Sequence, residues 1–128
     1  NGYMLRLASQ RQTLIFQELI PLGLTTKQIS TLIRVHEHGE VSQNHLGRLA
    51  AMDIATIKGV VDRLRDKDLL ASRPDKADRR RSIISLTAAG KALIHELHAK
   101  GHEITSKTLE PLATEDRERL AQLVKKLV

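Results

Sequence analysis

The sequence predicts one mostly α-helical (α+β) domain with a short β-hairpin inserted among its helices. At 128 residues the chain is long enough to bury a single hydrophobic core. Aromatic residues make up only 2% of it, so the core must consist of Leu, Ile, Val and Ala, which suits packed helices. No repeat, low-complexity tract or Pro/Gly-rich linker divides the chain. We therefore take residues 1–128 as one domain.

Helical periodicity accounts for the first part of the chain. The first helix covers residues 3–20 and has apolar positions at Leu7, Leu14 and Ile15. Pro21 and Gly23 end it. Thr25, followed three residues later by Gln28, is a capping-box pattern for a second helix. The predicted buried stripe of this second helix is Ile29, Leu32, Ile33 and His36.

Two shorter amphipathic segments joined by a tight turn come next. Ser42 is a favourable N-cap for the first, whose apolar face is Leu46, Leu49 and Ala50. Asp53 caps the second, whose buried positions are Ile57, Val60, Val61 and Leu64. The opposite face of the second carries Ala55, Thr56, Lys58, Gly59, Asp62 and Arg63. This pattern is typical of a helix-turn-helix.

A hairpin and two further helices complete the prediction. The β-compatible runs LLASR and RSIISL flank the loop PDKAD, and a two-stranded hairpin in this position is a wing. Thr87 then caps a long helix over residues 88–112, near whose end Pro111 lies. One side of this helix carries Ala89, Leu93, Leu97 and Ile104. Thr114, followed by Glu115 and Asp116, opens a last helix. Its stripe is Leu120, Leu123, Val124 and Leu127.

Positive charge is concentrated around the predicted helix-turn-helix and wing. The chain has a net charge of +6, and residues 42–87 contain ten Lys/Arg and six Asp/Glu. Arg79, Arg80 and Arg81 are adjacent in the hairpin loop, where three guanidinium groups repel one another. A polyanion facing this loop would offset that repulsion, which favours nucleic acid as the partner.

The run LGRLAAMDIATIKGVVDRLRDKDLLASRPDKADRRRSIISLTAAGKAL resembles the winged helix-turn-helix of the MarR (multiple antibiotic resistance regulator) family. The matching features are the helix ATIKGVVDRL, the wing pair Asp78-x-Arg80 and the motif Leu86-Thr87-x-x-Gly90. The flanking helices extend the resemblance over nearly the whole chain. Asp68 departs from the pattern, because the family often has glycine there; Asp nevertheless tolerates left-handed backbone conformations.

The resemblance implies a cytoplasmic homodimer that represses promoters by binding a pseudo-palindromic operator in double-stranded DNA. Residues 1–24 and 88–128 would supply dimerisation helices, and residues 25–87 the winged helix-turn-helix. Members of the family release DNA when a small phenolic or carboxylic ligand binds. SQNHLGRLAAMDIATIKGVVDRL is most similar to regulators of aromatic-acid breakdown, particularly nicotinate-pathway repressors that respond to 6-hydroxynicotinate. A small aromatic acid is therefore the expected effector, without a cofactor.

The expected DNA-contacting residues lie on the helix-turn-helix and the wing. Small residues on the outer face of the second helix allow close approach to a groove, and its basic residues can reach phosphates or base edges. The family resemblance places the wing arginine in the minor groove and assigns Asp78 to fixing the loop. The full set is Ser42, Gln43, Asn44, Asp53, Ala55, Thr56, Lys58, Gly59, Arg63, Lys76, Asp78, Arg79, Arg80 and Arg81.

Several alternatives concern the effector and the mode of DNA binding. An anionic aromatic ligand needs cations or donors, and the candidates are Arg11, Arg34, His36 and His38. His95, His98 and His102 lie on one side of the long helix and could chelate zinc, which would make the protein a metal sensor. The absence of cysteine weighs against this alternative. A non-specific architectural DNA-binding protein is the other alternative, and it would have neither sequence preference nor ligand response.

Other classes of function find little in the sequence. It contains no glycine-rich phosphate loop, no GxSxG and no cysteine, so we do not expect an enzyme. No stretch approaches the roughly 18 apolar residues that span a bilayer, so we expect no membrane partner. The apolar stripes of the first and last helices remain after the winged unit has closed its own core. They favour an intertwined dimer.

Overall fold

A computed structural model describes all 128 residues as six α-helices and one three-stranded sheet. The helices are α1 (Gly2–Leu19), α2 (Thr26–His38), α3 (Gln43–Leu49), α4 (Ile54–Asp66), α5 (Ala88–Thr108) and α6 (Thr114–Lys125). The strands are β1 (Glu40–Ser42), β2 (Leu70–Pro74) and β3 (Ser82–Leu86). The chain forms two compact units: Leu22–Leu97, and Asn1–Pro21 together with His98–Val128. No helix is sufficiently long and apolar to cross a membrane.

Two of the predicted helix starts are confirmed by side-chain hydrogen bonds. The Thr25 hydroxyl accepts from the Gln28 backbone N–H at 3.1 Å, and the Gln28 side-chain oxygen accepts from the Thr25 N–H at 3.0 Å. This is a complete capping box at the start of α2. At the start of α5, the Thr87 hydroxyl accepts from the Gly90 N–H at 3.0 Å.

The predicted buried face of α2 is confirmed at Leu32, is only half-buried at Ile29, and is wrong at Ile33 and His36. Ile33 is 39% exposed and His36 is exposed, whereas the buried positions are Gln28, Thr31, Leu32 and Val35. Two polar side chains can take buried positions here because their hydrogen bonds are made within the helix: Gln28 serves the capping box, and the Thr31 hydroxyl donates to the Lys27 carbonyl at 2.8 Å. Hydrophobicity alone could not place this face.

The core of the unit Leu22–Leu97 lies between α2, α3, α4 and the sheet. The predicted buried positions of α4 are confirmed, because Ile57, Val60, Val61 and Leu64 are all buried. The sheet is antiparallel with the order β1-β3-β2. Ile84 of central β3 is fully buried and pairs with Val41 on one side and Ser72 on the other. The two wing strands form as predicted, and β1 adds a third strand that the two-stranded prediction lacked.

The connection from α4 to β2 is fixed by the start of α5. Asp68 has a left-handed backbone with φ 58, a conformation that Asp tolerates better than most residues. The Thr87 hydroxyl donates to the Asp68 carbonyl at 2.6 Å, and the Thr87 N–H donates to the Leu69 carbonyl at 3.2 Å. Gly90 packs so closely that a Cβ there would lie 2.2 Å from the Leu69 carbonyl oxygen.

Gly90→Ala should destabilise the protein, because the added methyl group meets backbone that cannot swing aside. We expect a loss of about 1–3 kcal/mol in the free energy of unfolding, the usual cost of overpacking a core. Gly101→Ala on the same helix is the matched control, since nothing lies within 4 Å of its added Cβ. That variant should gain about 0.5–1 kcal/mol. Urea unfolding followed by circular dichroism measures both, and equal midpoints for the two variants would contradict the packing argument.

The unit formed by the chain ends consists of α1, the second half of α5, and α6. Arg11 of α1 donates to the Lys107 carbonyl at 2.9 Å and to the Thr108 carbonyl at 3.3 Å, which satisfies acceptors at the end of α5. This helix ends at Thr108, before the predicted residue 112. Arg117 donates to the Leu112 carbonyl at 2.9 Å and so braces the turn that leads into α6.

Apolar side chains of the terminal helices remain exposed in the single chain. Neither α1 nor α6 has a buried residue, although both carry the predicted stripes. The exposed large apolar residues of these two helices and of the C-terminus are Tyr3, Met4, Leu5, Leu7, Leu14, Leu120, Leu123, Val124, Leu127 and Val128. On α5 the predicted positions Leu93, Leu97 and Ile104 are buried, but Ala89 is exposed and Gly90 is buried in its place. Gly90 can face inward because a residue without a Cβ fits against the backbone carbonyl of Leu69.

Candidate nucleic-acid interface

The turn between α3 and α4 is held by caps at both helix starts and by a close helix crossing. The Ser42 hydroxyl accepts from the His45 N–H at 3.3 Å, and the Asp53 carboxylate accepts from the Thr56 N–H at 2.7 Å. These bonds confirm both residues as N-caps. Gly47 is buried in the crossing, where an added Cβ would lie 3.1 Å from Ile57. The orientation of α4 relative to α3 is therefore defined by packing.

The outer face of α4 carries the small and basic residues predicted for it. With the core positions turned inward, Ala55, Lys58 and Arg63 are exposed, while Thr56 and Gly59 are half-buried. Lys58 donates to the Asp62 carboxylate at 2.8 Å, and this hydrogen bond lowers the pKa of Asp62. Hydrogen bonds from Thr56 likewise lower the pKa of Asp53. Asp53 thus serves the cap of α4.

The wing loop is organised around the carboxylate of Asp78. It accepts from the Arg80 backbone N–H at 3.1 Å and from Arg80 Nε at 3.2 Å, and it lies 3.9 Å from Arg81 Nε. Hydrogen bonding from Arg80, with a smaller effect of the Arg81 charge, lowers the pKa of Asp78. This one carboxylate offsets the mutual repulsion of adjacent arginines. The Arg80 side chain nevertheless remains 91% exposed, and Lys76 and Arg79 are exposed as well.

Of the other predicted DNA-contacting residues, Gln43 and Asn44 begin α3. Gln43 is half-buried and Asn44 is exposed. They therefore lie in the same winged unit as α4 and the wing. All fourteen predicted positions belong to this unit, and none of these residues is buried.

The four candidate ligand contacts are divided between the two units. Arg11 belongs to the terminal unit and is bound to the end of α5, whereas the other three lie on α2. Arg34 donates to both carboxylate oxygens of Glu37, at 3.1 and 2.8 Å. His38 Nδ1 lies 3.0 Å from the Arg34 carbonyl, and His36 is exposed.

Two of the three candidate metal-binding histidines of α5 lie next to each other. His98 and His102 stack edge to face with ring centroids 5.5 Å apart, as expected for positions i and i+4. The structure contains no group of three His, Cys, Asp or Glu residues arranged to hold a metal ion. The zinc-sensing alternative, which needed His95 and a further ligand, therefore gains no support.

Sequence reasoning missed two residues beside the predicted interface. An open concavity in front of α3 and α4 is lined by Asn44, Gly47, Arg48, Met52, Asp53, Ile54, Ala55 and Ile57. Arg48 is exposed there, and Ile54 is 73% exposed at the first position of α4. Ile54 lies three residues before Ile57 and seven before Val61, a spacing that does not distinguish an exposed residue from a buried one. Its place at the very start of the helix puts it beyond the core.

A helix-turn-helix followed by a basic hairpin that pairs with a third strand defines the class of winged helix-turn-helix proteins. Comparison with known proteins narrows the class. The family model for the MarR family matches residues 24–82. The HTH-type transcriptional repressor NicR of Pseudomonas putida is 36% identical over an alignment that covers 99% of this chain and 81% of NicR. The chain belongs to the MarR family.

Two solved structures agree with this assignment in sequence and in shape. A probable transcriptional regulator from Pseudomonas aeruginosa is 42% identical, with a TM-score of 0.85 over 99% of this chain and 96% of its own. Bordetella bronchiseptica BpsR, whose DNA binding is regulated by 6-hydroxynicotinic acid, is 36% identical. Its TM-score is 0.80 over 98% of this chain and 91% of its own.

Proposed function

We propose that the protein is a transcriptional repressor that binds operator DNA as a homodimer and releases it when a small aromatic carboxylate binds. The observation that carries the proposal is the joint placement of the small-and-basic face of α4 and the arginine wing on one unit. Similarity to the repressor NicR and to BpsR supports the regulatory role. These relatives are regulators, so we propose no catalysis and no cofactor, and we place the protein with DNA in the cytoplasm.

In the proposed complex, α4 enters the major groove and the wing lies along the minor groove. Ala55, Thr56 and Gly59 bring the backbone of α4 close to the bases, while Lys58 and Arg63 reach bases or phosphates. To do so, Lys58 must give up its ion pair with Asp62 and form a contact with DNA instead. The sugar-phosphate backbone of the DNA is contacted by Ser42, Gln43, Asn44, Lys76, Arg79 and Arg81. Arg80 enters the minor groove. The carboxylates of Asp53 and Asp78 do not contact DNA phosphates, because like charges repel, and they position neighbouring protein groups instead.

Dimerisation through the terminal helices would cover the exposed apolar faces. Most of the stability of a helix in a protein comes from packing of its apolar face. The helix α1 has no buried residue, so it needs a partner surface. A second copy of the chain offers the same faces, and two-fold pairing is the commonest arrangement of soluble oligomers. Residues 1–24 and 88–128 would then form the dimer around two winged units of residues 25–87. Two recognition helices would meet successive major grooves about 10 base pairs apart.

The proposed effector is 6-hydroxynicotinate or a closely similar aromatic acid. Its carboxylate would be held by cations or donors drawn from Arg11, Arg34, His36 and His38. Arg34 could serve only after giving up its bidentate contact with Glu37. The BpsR similarity, at 36% identity over nearly the whole chain, is what favours this compound over other aromatic acids.

Selection of duplexes from a randomised pool tests the DNA-binding proposal, and it should enrich a palindromic sequence. On the selected duplex, Arg80→Ala should cost about 1–3 kcal/mol per half-site and should reduce the slope of log K against log salt by about 1 for each arginine removed. The loss should be similar for other duplexes. Thr56→Ala should instead reduce discrimination between the selected duplex and random DNA, because it alters a base-facing position.

Arg119→Ala is the matched control, because it removes the same charge from exposed α6 in the other unit. It should leave affinity and salt slope unchanged. A pool without an enriched sequence, together with equal losses for Arg80→Ala and Thr56→Ala on every duplex, would identify the protein as a non-specific DNA binder.

A further inference from the structure

Ile54 is an exposed branched apolar side chain beside the outer face of α4, whose residues are small, polar or charged. It follows the capping residue Asp53 and is 73% exposed, whereas Ile57, Val60 and Val61 of the same helix are buried. Within the chain it contributes little to the core. A lone exposed apolar residue needs no explanation by itself, but the location of this one is informative.

Ile54 forms one wall of the concavity in front of α3 and α4. The remaining wall residues are largely apolar: Met52, Ala55, Ile57 and Gly47, which has no side chain. Asn44 and Arg48 supply polar and cationic groups of the lining. Asp53 also lines it, with its carboxylate bound to the Thr56 N–H as the cap of α4. Ala55 belongs both to this concavity and to the outer face of α4, so the two surfaces are continuous.

The chemistry of the surrounding surface decides what can occupy this concavity. Residues 42–87 contain ten Lys/Arg and six Asp/Glu, and this excess positive charge favours a polyanion over an apolar protein segment. On the major-groove edge of DNA, the apolar group that an aliphatic side chain can contact is the 5-methyl group of thymine. An apolar pocket beside a cation at the start of a recognition helix therefore fits a thymine within a phosphate backbone.

We propose that Ile54 is a specificity-determining residue that contacts the methyl group of one thymine in each operator half-site, with Arg48 beside it on the adjoining backbone. This inference rests on the proposed function, because it requires α4 to lie in the major groove. It adds a hydrophobic base contact to a surface whose other expected contacts are polar or charged.

Thymine-to-deoxyuridine scanning tests the contact, because the replacement removes only the methyl group. The probe is the duplex that the wild-type protein selects from a randomised pool, with each thymine replaced in turn. One thymine per half-site should be sensitive, and its replacement should weaken binding by about fourfold, the value for one buried methyl group. Ile54→Ala should bind the thymine and deoxyuridine duplexes equally, while Ile54→Val should retain part of the preference.

Ile33→Ala is the control, since Ile33 is also an exposed branched aliphatic residue of the winged unit but lies on α2 outside the concavity. It should keep the full wild-type preference for thymine. Thermal unfolding should show that Ile54→Ala folds normally, as its exposure implies. An enriched duplex whose thymine preference survives in Ile54→Ala would overturn the assignment of Ile54 and leave the DNA-binding function intact. A pool with no enriched sequence would overturn both.

Discussion

Leu123→Glu should convert the dimer into single chains and abolish tight operator binding. Leu123 is 49% exposed on α6 and belongs to an apolar stripe that includes Leu120 and Val124. In one isolated chain the new carboxylate meets water, but in a dimer it would be buried without a partner, which is strongly unfavourable. Loss of the second recognition helix removes the avidity of two linked sites, which is about 10²- to 10⁴-fold.

Analytical ultracentrifugation and titration with the selected duplex measure both effects. The 14.3 kDa chain should sediment as a dimer in the wild type and as a monomer, folded or unfolded, in the variant. Gln122→Glu is the matched control, because it introduces the same charge on the same helix at an exposed polar position. It should remain dimeric and bind DNA normally. A dimeric, DNA-binding Leu123→Glu protein would show that α6 does not form the interface.

Operator DNA should weaken the binding of 6-hydroxynicotinate by the same factor by which this ligand weakens the binding of DNA. The ligand can act only through its different affinity for the free and the DNA-bound shapes. The chain has no cysteine, so oxidation of a thiol cannot provide the signal. For a coupling free energy of about 1–3 kcal/mol, the factor would be about 5- to 150-fold in both directions.

Calorimetric titration of the ligand, with and without the selected duplex, checks this reciprocity. Benzoate and nicotinate serve as comparison ligands, since they share the aromatic carboxylate and lack the 6-hydroxyl group. Equal affinities for 6-hydroxynicotinate in the two titrations would exclude it as the inducer. Arg34→Gln should weaken ligand binding if this arginine leaves Glu37 to bind the carboxylate, and unchanged affinity would remove Arg34 from the candidate contacts.

Sequence patterns predicted those parts of the fold whose cause is local. The capping box of Thr25 and Gln28 depends on residues three positions apart, and the buried face of α4 consists of strongly apolar residues at helical spacing. The face of α2 could not be predicted this way, because Thr31 is buried through a hydrogen bond within its own helix. Strand β1 is only three residues long, and it exists because β3 pairs with it. The residues of β3 that determine it lie about 40 positions later in the sequence.

The candidate site likewise has a part that sequence patterns predicted and a part that they did not. The wing arginines and the outer face of α4 follow from charge and helical periodicity, and the structure finds them accessible on one unit. Ile54 was not predicted as a site residue, because an isoleucine three residues before Ile57 has the spacing of a core position. Its exposure follows from where the helix starts relative to the core, and periodicity carries no information about that. The ligand contacts depend on tertiary placement still more, and no motif marks them.

The carboxylate of Asp78 has a consequence for the rate at which the protein finds its site. Because it already holds Arg80 and restrains Arg81 in the free protein, the wing loop has its ordered shape before any DNA approaches. Little conformational entropy is then lost at the moment of contact. Encounters need not wait for a loop to fold, so association can remain fast and sensitive to long-range attraction between the basic surface and the phosphates. The acidic residue in a run of arginines thus favours rapid search along DNA.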